Sequence, residues 1–214
     1  MNGATPAGRV ALTFDAEHPD RPTSTGAAER LLELLDRLAV PASFFVQGRW
    51  AEAYPATARR IAQAGHAVGS HSFYHARMAL LSDVGLDVDV GEAERVLREI
   101  VGVDPRPWFR CPFGEGEDDV RVLAALDRLG YANVGWDVMA EDWDPRRTPE
   151  QVEADVTAGA AAHGDGAVVL LHAWPDRTLA AVPGIVLRLR DAGANLVRID
   201  ALDRLPTTGP RWLA

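Results

Sequence analysis

His71 and His75 stand four residues apart in the stretch Gly65-His-Ala-Val-Gly-Ser-His71-Ser-Phe-Tyr-His75. Two imidazoles at that spacing can face one way from a helical or helix-like turn. Neutral imidazoles so placed can grip one divalent cation, and they lack only a carboxylate and a water to make a hydrolytic centre. Spacing alone is weak evidence, because histidines have many structural uses. The other reactive side chains therefore decide what the pair is for.

Those side chains fall just past short apolar runs: Asp15 and Glu17, Arg110, Asp142, and His172. A cation held by His71, His75 and one carboxylate would acidify a bound water and polarise a carbonyl. A second carboxylate beside it could act as general base. Arg110 could hold that base in place and ionised. His172 could protonate a leaving group, with Asp142 orienting its ring; Asp137 and Glu141 are rivals for that role. Backbone N–H groups around Phe113, in the loop 111–114, could stabilise an oxyanion. Trp143 and Trp174 offer faces for a sugar ring, or plain core packing. Cys111 is expected to be inert, and Arg146-Arg147 a solvated pair. Together this is equipment for metal-assisted hydrolysis of an amide or ester.

The elements that must position these groups follow a repeated punctuation. Apolar-periodic helices stop at Gly65, Gly130 and Gly193, each followed by a short apolar run. Glycine just past a helix end supplies the left-handed C-cap. Thr148-Pro149-Glu150-Gln151 predicts an N-cap, a proline at the first helical position and a capping box. Seven strands are predicted at 10–14, 42–46, 67–69, 107–110, 132–138, 167–171 and 195–199. Helices are predicted at 27–38, 55–64, 86–100, 118–129, 149–162 and 178–192. Alternation of this kind implies a parallel sheet with helices outside it. Ser43-Phe-Phe-Val and Ala167-Val-Val-Leu-Leu are apolar throughout, as strands buried on both faces are. The expected fold is an α/β distorted (β/α) barrel, with an open doubly wound sheet as the alternative. All the reactive residues would then share the C-terminal rim.

The 214 residues suffice for one domain, expected over the whole chain with a core at about 9–200. The net charge of −9 argues against nucleic acid or an anionic membrane surface as partner. One cysteine permits no internal disulfide. No run approaches a membrane span and the N-terminus lacks a long apolar stretch, so a cytoplasmic location is expected. Residues 206–214 are expected to be a poorly structured tail.

Five segments, taken in order, resemble the polysaccharide deacetylase family, the NodB-homology domain of carbohydrate esterase family 4. They are Leu12-Thr-Phe-Asp15; the histidine segment 65–75; Phe109-Arg110-Cys-Pro-Phe113-Gly114; Trp136-Asp-Val-Met-Ala-Glu-Asp142-Trp143; and Val168-Val-Leu-Leu171-His172. The resemblance spans about residues 9–200. It implies a distorted barrel of about seven strands and removal of N-acetyl groups from amino sugars. It implies a divalent ion, zinc first, with Co2+, Ni2+ or Mn2+ as alternatives. It casts Asp15 as base, Arg110 as its holder, His172 as general acid and the loop at Phe113 as substrate contact, while Asp142 beside His172 and Trp143 as a substrate wall remain readings of the residues themselves. His71 and His75 become metal ligands. The family's first motif usually carries two adjacent aspartates, whereas here Ala16 follows Asp15. Alanine cannot bind metal. A related branch carries Asp-x-Glu, which makes Glu17 the third ligand, with Asp15 or His18 as the alternatives. Two further readings keep other functions open: deacylation of a small intracellular amide, and a catalytically inactive sugar-binding barrel.

Overall fold

A computed structural model describes residues 8–19 and 26–209. Among these, eight strands alternate with seven α-helices. The strands are β1 (Arg9–Ala16), β2 (Ser43–Val46), β3 (Ala67–Ser70), β4 (Trp108–Phe109), β5 (Ala132–Asn133), β6 (Val138–Met139), β7 (Ala167–His172) and β8 (Asn195–Val197). The helices are α1 (Ala27–Arg37), α2 (Gly48–Ala53), α3 (Pro55–Gln63), α4 (Asp83–Val96), α5 (Val120–Arg128), α6 (Pro149–His163) and α7 (Asp176–Asp191).

Every observed strand pairing is parallel. The sheet runs β5-β4-β3-β2-β1-β7-β6, and β8 also pairs β1. β2 engages β1 only from Thr13 onward, and β8 pairs its first residues, Arg9 to Ala11. The sheet curls into a partial barrel with helices around it, as the alternation predicted.

The expected strand 132–138 is a correction. It is two short strands, β5 and β6, that occupy opposite edges of the sheet. The backbone between them, Val134 to Asp137, crosses the seam instead of extending a ladder. Gly135 N–H there donates to the Pro206 carbonyl, and Asn133 Nδ2 donates to the Thr207 carbonyl. Residues 206–209 are thus tied to the seam, against the expectation of a loose tail; 210–214 lie outside the described residues. Helix α4 begins three residues before its predicted start, because Ser82 caps it by accepting from Gly85 N–H. Helix α2 was not predicted at all; it is only six residues long. The predicted stops at Gly65, Gly130 and Gly193 all have positive φ. The capping box at Thr148 and Gln151 is present.

The sidedness of each strand divides the core. Val10, Leu12, Phe14 and Ala16 face the outer layer with Phe44, Val68, Val169 and Leu171. Ala11, Phe45, Ala67, Val134, Trp136, Val168 and Leu170 fill the barrel interior. Period-two alternation is what separates these sets.

His66, between α3 and β3, is a buried titratable member of this frame. Its Nδ1 accepts the Ala42 N–H at 3.2 Å, and its ring lies 5.2 Å from that of Phe44. Burial, aided by Arg198, pulls its pKa from 6.5 to about 4. The native state therefore holds His66 neutral. As pH falls below 6.5 the unfolded chain takes up the proton first, so stability declines through the window from 6.5 to about 4. His66→Asn keeps an acceptor without the titration. Its urea midpoint should fall less than that of the wild type between pH 7 and pH 4; equal losses would contradict this account.

Candidate active site

β1 delivers two carboxylates to one place. Asp15 and Glu17 are two apart and face the barrel mouth, while Ala16 between them packs in the outer core. Ala16 therefore cannot address the cavity, and Glu17 is the next residue that can. Both carboxylates are buried.

Glu17 sits in a nest of ring nitrogens. His71 Nε2 lies 3.2 Å from its Oε2, and His75 Nε2 contacts the same oxygen more closely. His18 Nε2 lies 3.0 Å from Oε1, and Trp174 Nε1 donates to Oε1 at 3.3 Å. Burial would raise the Glu17 pKa, but hydrogen bonds from His18, His71 and His75 outweigh it and hold the carboxyl well below its usual range. Burial likewise depresses His75 to about 4, against a smaller upward pull from Glu17, so its ring is neutral at neutral pH. His71 Nδ1 donates to the Arg110 carbonyl at 2.9 Å, because a carbonyl can only accept. That bond turns Nε2 of His71 toward the Glu17 and Asp15 carboxylates. Burial lowers the His71 pKa, yet those carboxylates reverse the shift and raise it. A ring nitrogen and two carboxylates aimed at one another need a cation between them. A divalent ion suits these donors. Glu17, His18 and His75 place one donor atom each within 4.8 Å of one another, a possible metal site.

The histidine loop is not a helical turn, contrary to expectation. Ser72 and His75 both take left-handed backbone, with φ of 60° and 58°. Asp89 of α4 holds the loop by accepting from Phe73 N–H and Tyr74 N–H, each at 3.0 Å. Ser72 Oγ accepts the His75 N–H at 2.9 Å. The first N–H groups of α2, from Gly48 and Arg49, bond the Ser72 and Phe73 carbonyls. A Cβ on Gly48 would lie 2.4 Å from the Phe73 ring, so only glycine permits that approach.

Arg110 enters the interior from the end of β4. It is 1% exposed. Nη1 donates to Asp15 Oδ1 at 2.8 Å and to Thr13 Oγ at 2.9 Å. Nε and Nη2 donate to the Val134 and Gly135 carbonyls at 3.1 and 3.0 Å. The guanidinium lies 3.9 Å from the centre of the Phe45 ring. Burial pulls its pKa down, and Asp15 opposes that pull.

His172 ends β7 on the other side of the mouth. Its Nδ1 lies 2.7 Å from Asp142 Oδ1, and its N–H donates to Asp142 Oδ2 at 2.7 Å. Thr178 Oγ donates to the same Oδ2 at 2.5 Å, and Arg177 binds the Asp142 carbonyl. Burial works against the charged ring, but Asp142 prevails and lifts its pKa to about 9. The imidazolium therefore persists at neutral pH. Of the rival acids, Asp137 is occupied elsewhere, accepting the Val168 N–H at 2.9 Å.

Asp15, Glu17, His71, His75 and His172 line one cavity of about 190 Å³. Phe113, Trp136, Trp143 and Trp174 wall it. Phe113 packs edge-on to His75 at 4.4 Å and Trp143 to His172 at 5.3 Å. Arg110 and Asp142 stand one bond behind the lining. The backbone donors expected from the loop 111–114 are partly spent: Cys111 N–H goes to Asn133 Oδ1 and Gly114 N–H to the Cys111 carbonyl. Burial pushes the Cys111 thiol far up, which keeps it inert. Asp89, Thr178, Thr13 and Gln47 were not singled out from the sequence. Asp89 and Thr178 had a signal: each is a polar residue on the buried stripe of its helix, beside Leu86 and Val90 or Ala181 and Val182.

A family model described as polysaccharide deacetylase matches residues 2–134. The chain is 31% identical over 202 residues to a chitooligosaccharide deacetylase of Sinorhizobium fredii, covering 88% of this chain and 89% of that protein. Several other curated relatives are longer, and the chain spans 38% to 52% of their length. Among solved structures, a family 4 carbohydrate esterase from Streptomyces lividans in complex with acetate superposes with a TM-score of 0.76 at 30% identity, covering 87% of this chain and 90% of that one. BA3943 of Bacillus anthracis, described as a CE4 family pseudoenzyme, gives 0.79 at 26% identity, covering 92% and 69%.

The buried pair at the base of the cavity generates a stability prediction. Arg110→Met leaves the Asp15 carboxylate buried without its partner and should cost about 3–5 kcal/mol in denaturant unfolding. Adding Asp15→Asn to that variant should recover part of the loss. Additive losses in the double variant would show that the two residues do not depend on each other.

Proposed function

The chain belongs to the polysaccharide deacetylase family, and from that premise we propose that it removes the acetyl group from an N-acetylated amino sugar. One observation carries the reading: a buried carboxylate held by an arginine and a buried imidazole held by a carboxylate face the same cavity. The first is equipped to take a proton and the second to give one.

In this reading Asp15 accepts a proton from the attacking water, whose oxygen bonds to the acetyl carbonyl carbon. Arg110 holds Asp15 in place and aimed. As the C–N bond breaks, His172 protonates the departing nitrogen, giving acetate and a free amine. Asp142 fixes the His172 tautomer and orientation, and Thr178 fixes Asp142. Phe113 and Trp143 are proposed as walls for the sugar ring. Glu17, His71 and His75 would hold a divalent cation, zinc in the first instance, which when bound polarises a carbonyl and acidifies water. The outward packing of Ala16 supports catalysis over an inactive barrel, because the residue that differs from the usual motif does not face the cavity.

Acetate release from N-acetylglucosamine oligomers tests the proposal. Wild-type protein should release acetate, and a chelator should stop it. His172→Ala should lower kcat by roughly 10²–10⁴-fold, the worth of a positioned acid. Folded, cation-loaded protein that releases acetate only from small non-sugar acetamides would overturn the sugar assignment. Release from neither class would overturn the deacetylase reading.

A further inference from the structure

We propose that His18 is a metal ligand, joining Glu17 and His75 around one divalent cation. The inference rests on reading the Glu17 nest as a cation site, and it makes His18 a ligand beside Glu17 and not an alternative to it.

Three observations converge on it. Glu17, His18 and His75 each bring one donor atom within 4.8 Å of the others. His18 Nε2 and Glu17 Oε1 stand 3.0 Å apart, a separation that two donors about 2.0–2.2 Å from one ion can span. The His18 ring also meets the His75 ring edge-on at 4.5 Å, with Trp174 beyond it at 6.4 Å.

The backbone is bent to bring this about. His18 has φ of 56°, a conformation that a side-chain-bearing residue avoids unless its surroundings impose it. The surroundings do impose it. The His18 N–H donates at 3.0 Å to the side-chain oxygen of Gln47, a buried residue at the end of β2. Gln47 is itself registered on β1 through its N–H bond to the Ala16 carbonyl. A buried amide is thus committed to the turn that folds His18 back over Glu17.

The chemistry narrows the ion. With His71 included, the nest offers three imidazoles and one carboxylate. Such a nitrogen-rich set favours zinc or cobalt over the oxygen-seeking magnesium and calcium. The competing account makes His18 a proton-bearing partner of Glu17 that never touches a metal.

Titration of chelator-stripped protein with Zn2+ and Co2+ separates the two. His18→Ala should weaken binding at least tenfold, shift the visible Co2+ absorption, and remove one imidazole from the count given by X-ray absorption of the zinc form. His163→Ala, outside the nest, should change none of these. If His18→Ala fails to fold, the assigned side-chain ¹⁵N resonances of His18 in unmodified protein decide: Nε2 should shift on zinc addition. Unchanged affinity and imidazole count, or an unshifted His18 Nε2, would overturn the proposal. Absence of any Zn2+ or Co2+ binding by the wild type would overturn it together with the metal reading of the nest. Binding that depends on His18 in a protein that releases no acetate would support the ligand assignment while the deacetylase reading falls.

Discussion

The Arg110 guanidinium, buried where the barrel fails to close, is the constraint on which the rest of the site depends. Burying a charge costs several kcal/mol after relaxation. Four hydrogen bonds offset that cost, to Asp15, Thr13, Val134 and Gly135. Two of them go to carbonyls of the segment that crosses the seam between β5 and β6, which lack a ladder partner there. One side chain therefore finishes the wall of the barrel and fixes a carboxylate at its mouth. The Arg110 carbonyl also accepts from His71, so the same residue sets the orientation of a nest histidine. Scaffold and chemistry share one residue, and neither can be altered alone.

Around this centre the backbone is repeatedly forced out of its preferred regions. Among the described residues, six that are not glycine have positive φ. All but Ala39 belong to the loops that carry the site: His18, Ser72, His75, Phe113 and Glu141. Each such departure costs of order 1–3 kcal/mol and persists only where neighbours over-determine it. Those neighbours are identifiable. Gln47 holds His18, Asp89 holds the loop after Ser72, and the turn closed by Gly114 N–H onto the Cys111 carbonyl holds Phe113. Strain concentrates at the strand ends, where side chains must be turned inward over the mouth.

Much of this was legible in the sequence because burial writes a periodic signature. Continuous apolar runs in β2 and β7 marked strands covered on both faces, and the glycine stops marked the helix ends. The reactive residues were legible for the same reason, since each followed such a run. What escaped notice depended on tertiary contact. Val134 to Asp137 read as strand because the stretch after the Gly130 stop is mostly apolar, yet the Val134 and Gly135 carbonyls are claimed by Arg110. The histidine pair read as a helical turn because the spacing is right, yet Asp89 pins the loop in another shape. Pro206 to Gly209 looked like a loose tail from composition alone; its partners, Gly135, Asn133 and Glu117, lie far away in the chain.

Two carboxylates divide the work of the site: Asp15 is reserved by Arg110 and Glu17 is left to the imidazoles. Anomalous diffraction from crystals grown with zinc tests this division most directly. One ion should bond to Glu17 and His75, with Asp15 still paired to Arg110 and outside bonding distance. An ion bonded to Asp15, or an Arg110 turned away from it, would contradict the account.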